Sequence, residues 1–182
     1  NGLNIQSVSL ATTLDSKIPL IKYFVIPYYM WYALVLFSFI YIYTKNNEEF
    51  YKFAKCIVLT MLSALIIFIF FQTSVSRPII VGDDMFSNMI RNIYANDRPV
   101  NCCPSLHVAL ALICSIWVCR VSENRILKST VIVVGYLIIL STLFIKQHVI
   151  MDVIVAFIQV FVLRNIVDRN PHVEYEETVE IR

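Results

Sequence analysis

The chain of 182 residues is 58% hydrophobic and only 15% charged, with a mean hydropathy of +0.70, which is too apolar for a soluble domain of this size. Its net charge is only +2 and its basic residues stand at the ends of apolar runs, which excludes a nucleic-acid partner and points to a bilayer. Cys56, Cys102, Cys103, Cys114 and Cys119 form no CxxC pair or ligand cluster, so neither a disulfide framework nor a metal or other cofactor is expected.

Residues 1–20 are polar to mixed, and Leu14–Pro19 reads as an interfacial turn. A first span is predicted from about Phe24 to Thr44, with Tyr23, Tyr28, Tyr29 and Trp31 at one end and Tyr41 and Tyr43 at the other, as in two aromatic belts. Lys45–Glu49 is a polar break, and a second span follows from about Ala54 to Gln72. Next come Arg77-Pro78 and a mixed loop reaching Cys103, a length that in a compact bundle is usually functional. A third span opens at Pro104-Ser105-Leu106-His107 and runs to Cys119. The fourth covers Ser129–Ile145 and the fifth His148–Leu163. The charged stretch from Asp168, with Pro171, reads as loosely attached. The expectation is an all-α integral membrane helical bundle of five spans, with residues 1–170 as one membrane-embedded domain and 171–182 as a polar tail. Because the chain opens on Asn1 without a signal-peptide pattern, a further helix upstream is expected, making six.

Alternating the five spans brings the end of the second, the start of the third, the end of the fourth and the start of the fifth to one side. Arg77, Ser105, His107, Lys146, His148 and Asp152 all fall there, although they come from three separate stretches. Lys45, Lys52, Lys55, Arg120, Arg125, Lys128, Arg164 and Arg169 lie on the other side, which makes that side cytoplasmic and the polar cluster extracytoplasmic.

Singly, each residue has a bland reading. The histidines can cap helices at the interface, Arg77 can anchor a headgroup, Lys146 can snorkel, and Ser105 can do no more than cap its helix. Together they make a site. His148 and Asp152 are four apart, so the carboxylate can set the imidazole tautomer and leave the other ring nitrogen free. The helix start at Ser105-Leu106-His107 offers amides and a positive dipole end to an anion, and Arg77 can bind two phosphate oxygens. Phosphoryl transfer through a phosphohistidine needs such a set: a nucleophile, an acid and oxygen donors.

Arg77-Pro78, Pro104-Ser105-Leu106-His107 and His148 with Asp152 resemble the three-part signature of the type-2 phosphatidic acid phosphatase superfamily, which includes vanadium haloperoxidases. The Ser-Leu-His form and the run Ser141–His148 look closer to the branch with inositol phosphorylceramide synthase-like transferases. The resemblance implies a metal-independent membrane phosphatase acting on a lipid phosphate or diphosphate at the extracytoplasmic face, with the plasma membrane as its expected location and membrane lipids as its surroundings. It implies His148 as nucleophile, Asp152 as its orienting partner and His107 as general acid. Arg77, Ser105 and the amides around Leu106 would hold the phosphate. Three departures stand out: Phe70 and Phe71 where a lysine is usual, Leu106 for a glycine, and Thr142 for an arginine. Lys146 is the expected substitute for that lost charge. The alternatives are a phosphotransferase moving a headgroup to a lipid or inositol acceptor, and a non-catalytic transporter or assembly subunit.

Overall fold

The computed structural model describes residues 7–169, so the predicted tail 171–182 lies outside the described residues. Six helices carry the architecture: α1 Val25–Lys45, α2 Asn47–Phe70, α3 Met85–Asn96, α4 Leu106–Val121, α5 Arg125–Phe144 and α6 Ile150–Arg169. Two-residue strands β1 (Val8–Ser9) and β2 (Thr73–Ser74) pair in parallel and tie the N-terminal segment to the end of α2. The fold is a membrane helical bundle. Four segments are long and apolar enough to cross a bilayer, the one built on α1 starting at Lys22, while α4 is a shorter apolar helix of 16 residues.

The helix starts follow from their caps. Asn46, Asp84, Ser105 and Asn124 each accept backbone amides of the first turn of α2, α3, α4 and α5, an arrangement that stabilises a helix by about 1 kcal/mol per cap. Two expectations are thereby corrected. The break Lys45–Glu49 shrinks to the single residue Asn46, because Asn46 is an N-cap and Glu48 and Glu49 favour a first turn. The loop expected up to Cys103 contains α3, whose Phe86, Met89, Ile90 and Ile93 form an apolar stripe packed on Val25, Tyr28 and Ile145. A third correction concerns Asp168 and Arg169, which belong to the last turn of α6 rather than to a tail.

At the centre stands α4, touching α1, α2, α5 and α6. Its successive residues Val108, Ala109, Leu110 and Ala111 are all buried, so it has no outward face. The other long helices expose large side chains such as Leu36, Ile66, Ile132 and Phe161 on their outer faces, as lipid contact requires. Gln159 of α6 donates from Nε2 to Thr60 O and Ser63 Oγ of α2, a polar clasp within the apolar zone. At the end away from the histidines, Arg120 closes the bundle by pairing with Asp168 at 2.7 Å and Glu49 at 3.1 Å.

Gly135 sets the approach of α5 to α4. A Cβ there would stand 2.4 Å from Ser115 Oγ, which is already held by Ala111 O and Val131 O. Gly135→Ala must therefore push the helices apart or break those bonds. The expected loss is about 1–3 kcal/mol of stability, readable as a lowered thermal midpoint in detergent.

Candidate active site

The turn between α5 and α6 positions His148. At the end of α5, Lys146 takes a left-handed backbone with φ of 56°, its amide donates to Leu143 O, and the amides of Gln147 and His148 both converge on Thr142 O. This is a helix C-cap that usually carries glycine; a lysine in it costs on the order of 1 kcal/mol or more. Two residues beyond His148, α6 begins at Ile150, so the histidine precedes the helix rather than opening it as predicted. Asp152, in the first turn, reaches back to accept the Val149 amide at 3.1 Å, half of a capping box. The same oxygen lies 3.2 Å from His148 Nδ1, while the carboxylate is only 1% exposed. A helix cap and an imidazole orienter are thus one group. His148 Nε2 is the ring nitrogen that Asp152 does not engage.

Arg77 lies in the loop between β2 and α3 and is held from several sides. Its guanidinium donates to Asp97 O and to Gln147 Oε1, lies 3.8 Å from the Asp97 carboxylate and sits 4.8 Å over the Tyr94 ring. Arg77 Nε is buried and has no hydrogen-bond partner within the structure. The side chain is 8% exposed, so its position is fixed before any ligand arrives. Tyr94 Oη in turn donates to Ile145 O at 2.7 Å, joining α3 to the His148 turn.

Ser105 is fully buried; its Oγ caps Val108 and its amide donates to Asp152 O at 3.3 Å, which locks the start of α4 to the start of α6. The cap takes the Val108 amide, and the helix itself offers no acceptor to the amides of Leu106 and His107. The Leu106 side chain packs on the main core. The His107 ring stacks on Tyr28 at 4.6 Å between centroids and meets Trp31 at 4.7 Å; the His148 ring is 6.3 Å away.

A cavity of about 370 Å³ is lined by Arg77, Pro78, Lys146, His148 and the segment from Ala11 to Ile18. Lys146 lines it, but its ammonium donates to the carbonyls of Asp15 and Ile18 and so also tethers that segment. Asp15 accepts the Ile150 amide at 2.8 Å, across 135 residues of sequence. Burial alone would raise the Asp15 carboxyl, but bonds from Ile150 and Thr12, with Lys146 nearby, hold it below the ordinary carboxylate value. Burial pushes the Cys102 thiol up to about 12 and that of Cys103 to about 11, which leaves both as small hydrophobes beside the site. Among the described residues no three His, Cys, Asp or Glu side chains form a metal-ligand set.

The fold therefore brings Arg77, Ser105, Leu106, His107, Lys146, His148 and Asp152 to one end of the bundle. Thr142 is fully buried and its Oγ1 donates to Ile139 O, so the position at which the resemblance expects an arginine does not open on the cavity. Gln147, Tyr94, Asp97, Tyr28 and Asp15 escaped the sequence reading. Gln147 alone left a signal there, as a polar residue beside His148.

A family model described as the PAP2 superfamily matches residues 2–164. The chain belongs to the PAP2 superfamily. No curated protein and no solved structure matches it. Within the PAP2 superfamily the coarse activity is that of a phosphatase or phosphotransferase, and the matched span contains every residue of the cluster. The structure brings together at one end of the bundle a guanidinium, two histidine rings and the amides at a helix start. The ring centroids of His107 and His148 stand 6.3 Å apart.

Proposed function

We propose that this PAP2 superfamily member is an integral membrane phosphatase that acts on a lipid phosphate through a phosphohistidine, without metal, at the extracytoplasmic face. The observation that carries the reading is the His148–Asp152 contact of 3.2 Å beside a cavity lined by Arg77, with the His107 ring 6.3 Å from that of His148. His148 Nε2 attacks phosphorus while Asp152 holds the Nδ1 proton. His107 gives a proton to the departing oxygen as the P–O bond breaks. Water then attacks the phosphohistidine, passes its proton to His107, and releases phosphate as the P–N bond breaks. Arg77 and the amides of Leu106 and His107 stabilise the equatorial oxygens. Lys45, Lys52, Arg125 and Lys128 at the opposite end support the orientation, and a plasma-membrane location goes with it.

Purified protein in detergent with EDTA, offered short-chain lipid phosphates and diphosphates, tests this directly: phosphate release that survives EDTA is expected. Loss of release in EDTA would remove the metal-free mechanism. Activity in no condition, together with a defect in transport or assembly, would favour a non-catalytic role. Transfer of a phospho-headgroup to an alcohol, as in inositol phosphorylceramide synthase-like enzymes, uses the same first step.

Lys146→Gly removes the ammonium, with its tether to Asp15 and Ile18, while keeping the left-handed turn. Glycine suits the left-handed backbone, so the fold is expected to survive while the cavity loses one charge. A unit charge within about 4 Å contributes on the order of 1 kcal/mol even in water, so KM is expected to rise by about fivefold with kcat little changed. An unchanged KM would remove Lys146 from phosphate binding.

A further inference from the structure

The loop that follows Arg77-Pro78 carries apolar side chains that no part of the described chain covers. Ile79 is 90% exposed, Val81 86% and Met85, which opens α3, 71%. Ile80, between the first two, turns inward and packs on the cluster of Val25, Ile90 and Ile145. Neither Ile79 nor Val81 belongs to a buried cluster among the described residues, so packing does not account for their being apolar.

The loop is held in this form from its polar side. Arg91 Nη1 donates to Ile80 O at 3.1 Å and to Gly82 O at 2.6 Å, and Nη2 meets the Asp83 carboxylate at 3.3 Å. Gly82 has a φ of 99°, a backbone that glycine alone adopts freely. Asp84 then caps α3 through the amides of Phe86 and Ser87. None of these bonds uses the side chain of Ile79 or Val81; they fix the backbone that presents both outward.

Partners near α1 set the depth of the loop. The first apolar segment able to cross a bilayer starts at Lys22. Lys22 Nζ pairs with the Asp84 carboxylate at 2.7 Å, the Tyr23 ring meets that of Phe86 at 5.0 Å, and Val81 lines one cleft with Leu20 and Tyr23. The loop therefore lies level with the start of a membrane span, where tyrosine and lysine mark the boundary between headgroups and hydrocarbon. Exposed Leu20 and Tyr23 carry the apolar surface from the loop onto that span. At this level aliphatic side chains gain by leaving water for the acyl region. Arg91 already satisfies two carbonyls that hydrocarbon would leave unpaired.

We propose that the loop from Ile79 to Met85 is a membrane-interface anchor whose partner is the lipid bilayer, with Ile79, Val81 and Met85 seated among the acyl chains of the leaflet on the His148 side. Asp83 and Arg91 remain among the headgroups. Arg77 and Pro78, which line the cavity beside His148, run directly into this anchor, so the rim of that cavity is held at headgroup level. The anchor does not depend on the chemistry at His148.

The test uses the full chain reconstituted in phosphatidylcholine vesicles. Ile79→Trp and Val81→Trp each add one indole at a highly exposed position to the native Trp31 and Trp117, and the added emission is read as the difference from wild type. Thermal midpoints check that both variants are folded. The expected result at both positions is blue-shifted emission that is lost when the vesicles contain phosphatidylcholine brominated near the headgroup end of its acyl chain. Bromine near the chain end should quench less, and iodide on both sides of the membrane should leave the emission intact. Quenching by iodide and not by bromine places the loop in water and overturns the inference. Emission that neither quencher reaches shows a second copy of the chain over the patch, and overturns it as well. Neither readout involves phosphate release, so the anchor and the phosphatase reading fail separately.

Discussion

His148→Ala is expected to abolish phosphate release from dioctanoyl phosphatidic acid, with kcat at least about a thousandfold down. The bond that shapes the turn, from the His148 amide to Thr142 O, is made by the backbone and survives the substitution. Asp152 keeps the Val149 amide, so α6 still has its cap. The variant should therefore unfold near the wild-type midpoint, and loss of activity reports on chemistry rather than on folding. Retention of a tenth of the rate would take His148 away from the reacting atoms. His107→Ala serves as the comparison, since loss of an acid costs less than loss of the nucleophile: about 10²–10⁴-fold.

Asp152→Asn is the second large effect. The carboxylate fixes the proton on His148 Nδ1 and keeps Nε2 unprotonated for attack. An amide in its place can present its NH2 to Nδ1, which then becomes the acceptor and moves the ring proton to Nε2. The expected fall in kcat is about 10²–10⁴-fold, with little change in KM. One Asp152 oxygen meets both His148 Nδ1 and the Val149 amide, so an asparagine that turns its NH2 to the ring keeps the Val149 bond only by rotating its oxygen toward that amide, and a modest fall in the thermal midpoint is expected. Asp152→Ala is the poorer probe because it leaves that buried amide unpaired, at a cost of about 1–3 kcal/mol. A kcat within threefold of wild type in Asp152→Asn would show that the tautomer is set elsewhere.

Much of this site was legible because its residues are expensive in an apolar chain. Arg77, His107, His148 and Asp152 stand out between long hydrophobic runs, and simple up-and-down threading places them at one end of the bundle, where the structure has them. The helix α3 was legible in principle: Phe86, Met89, Ile90 and Ile93 have helical spacing behind the N-cap Asp84. The many polar residues of that region hid the stripe. The start of α2 was missed for a related reason, since Asn46 with Glu48 and Glu49 is a helix beginning as well as a polar break.

Other features depend on tertiary structure. The grip of Gln147 and Asp97 on Arg77 joins residues 70 and 20 positions apart, and no local pattern announces it. Lys146 was readable as a charge but not as a left-handed C-cap, a property of the backbone that its residue type disfavours. The most consequential unread feature is that the two histidines line two separate cavities, His148 one and His107 the other. Tyr28, Asn96 and Asp97 belong to different elements and acquire meaning only when α1 and α3 are packed against the start of α4.

The central claim is the covalent bond between His148 and phosphorus. Rapid acid-free quenching of the enzyme during turnover of ³²P-labelled dioctanoyl phosphatidic acid, followed by peptide mapping under alkaline conditions, tests it most directly. The account predicts label that is stable to base, labile to acid, and confined to the peptide containing His148. Enzyme that turns over without becoming labelled, or label mapped to any other residue, would contradict it.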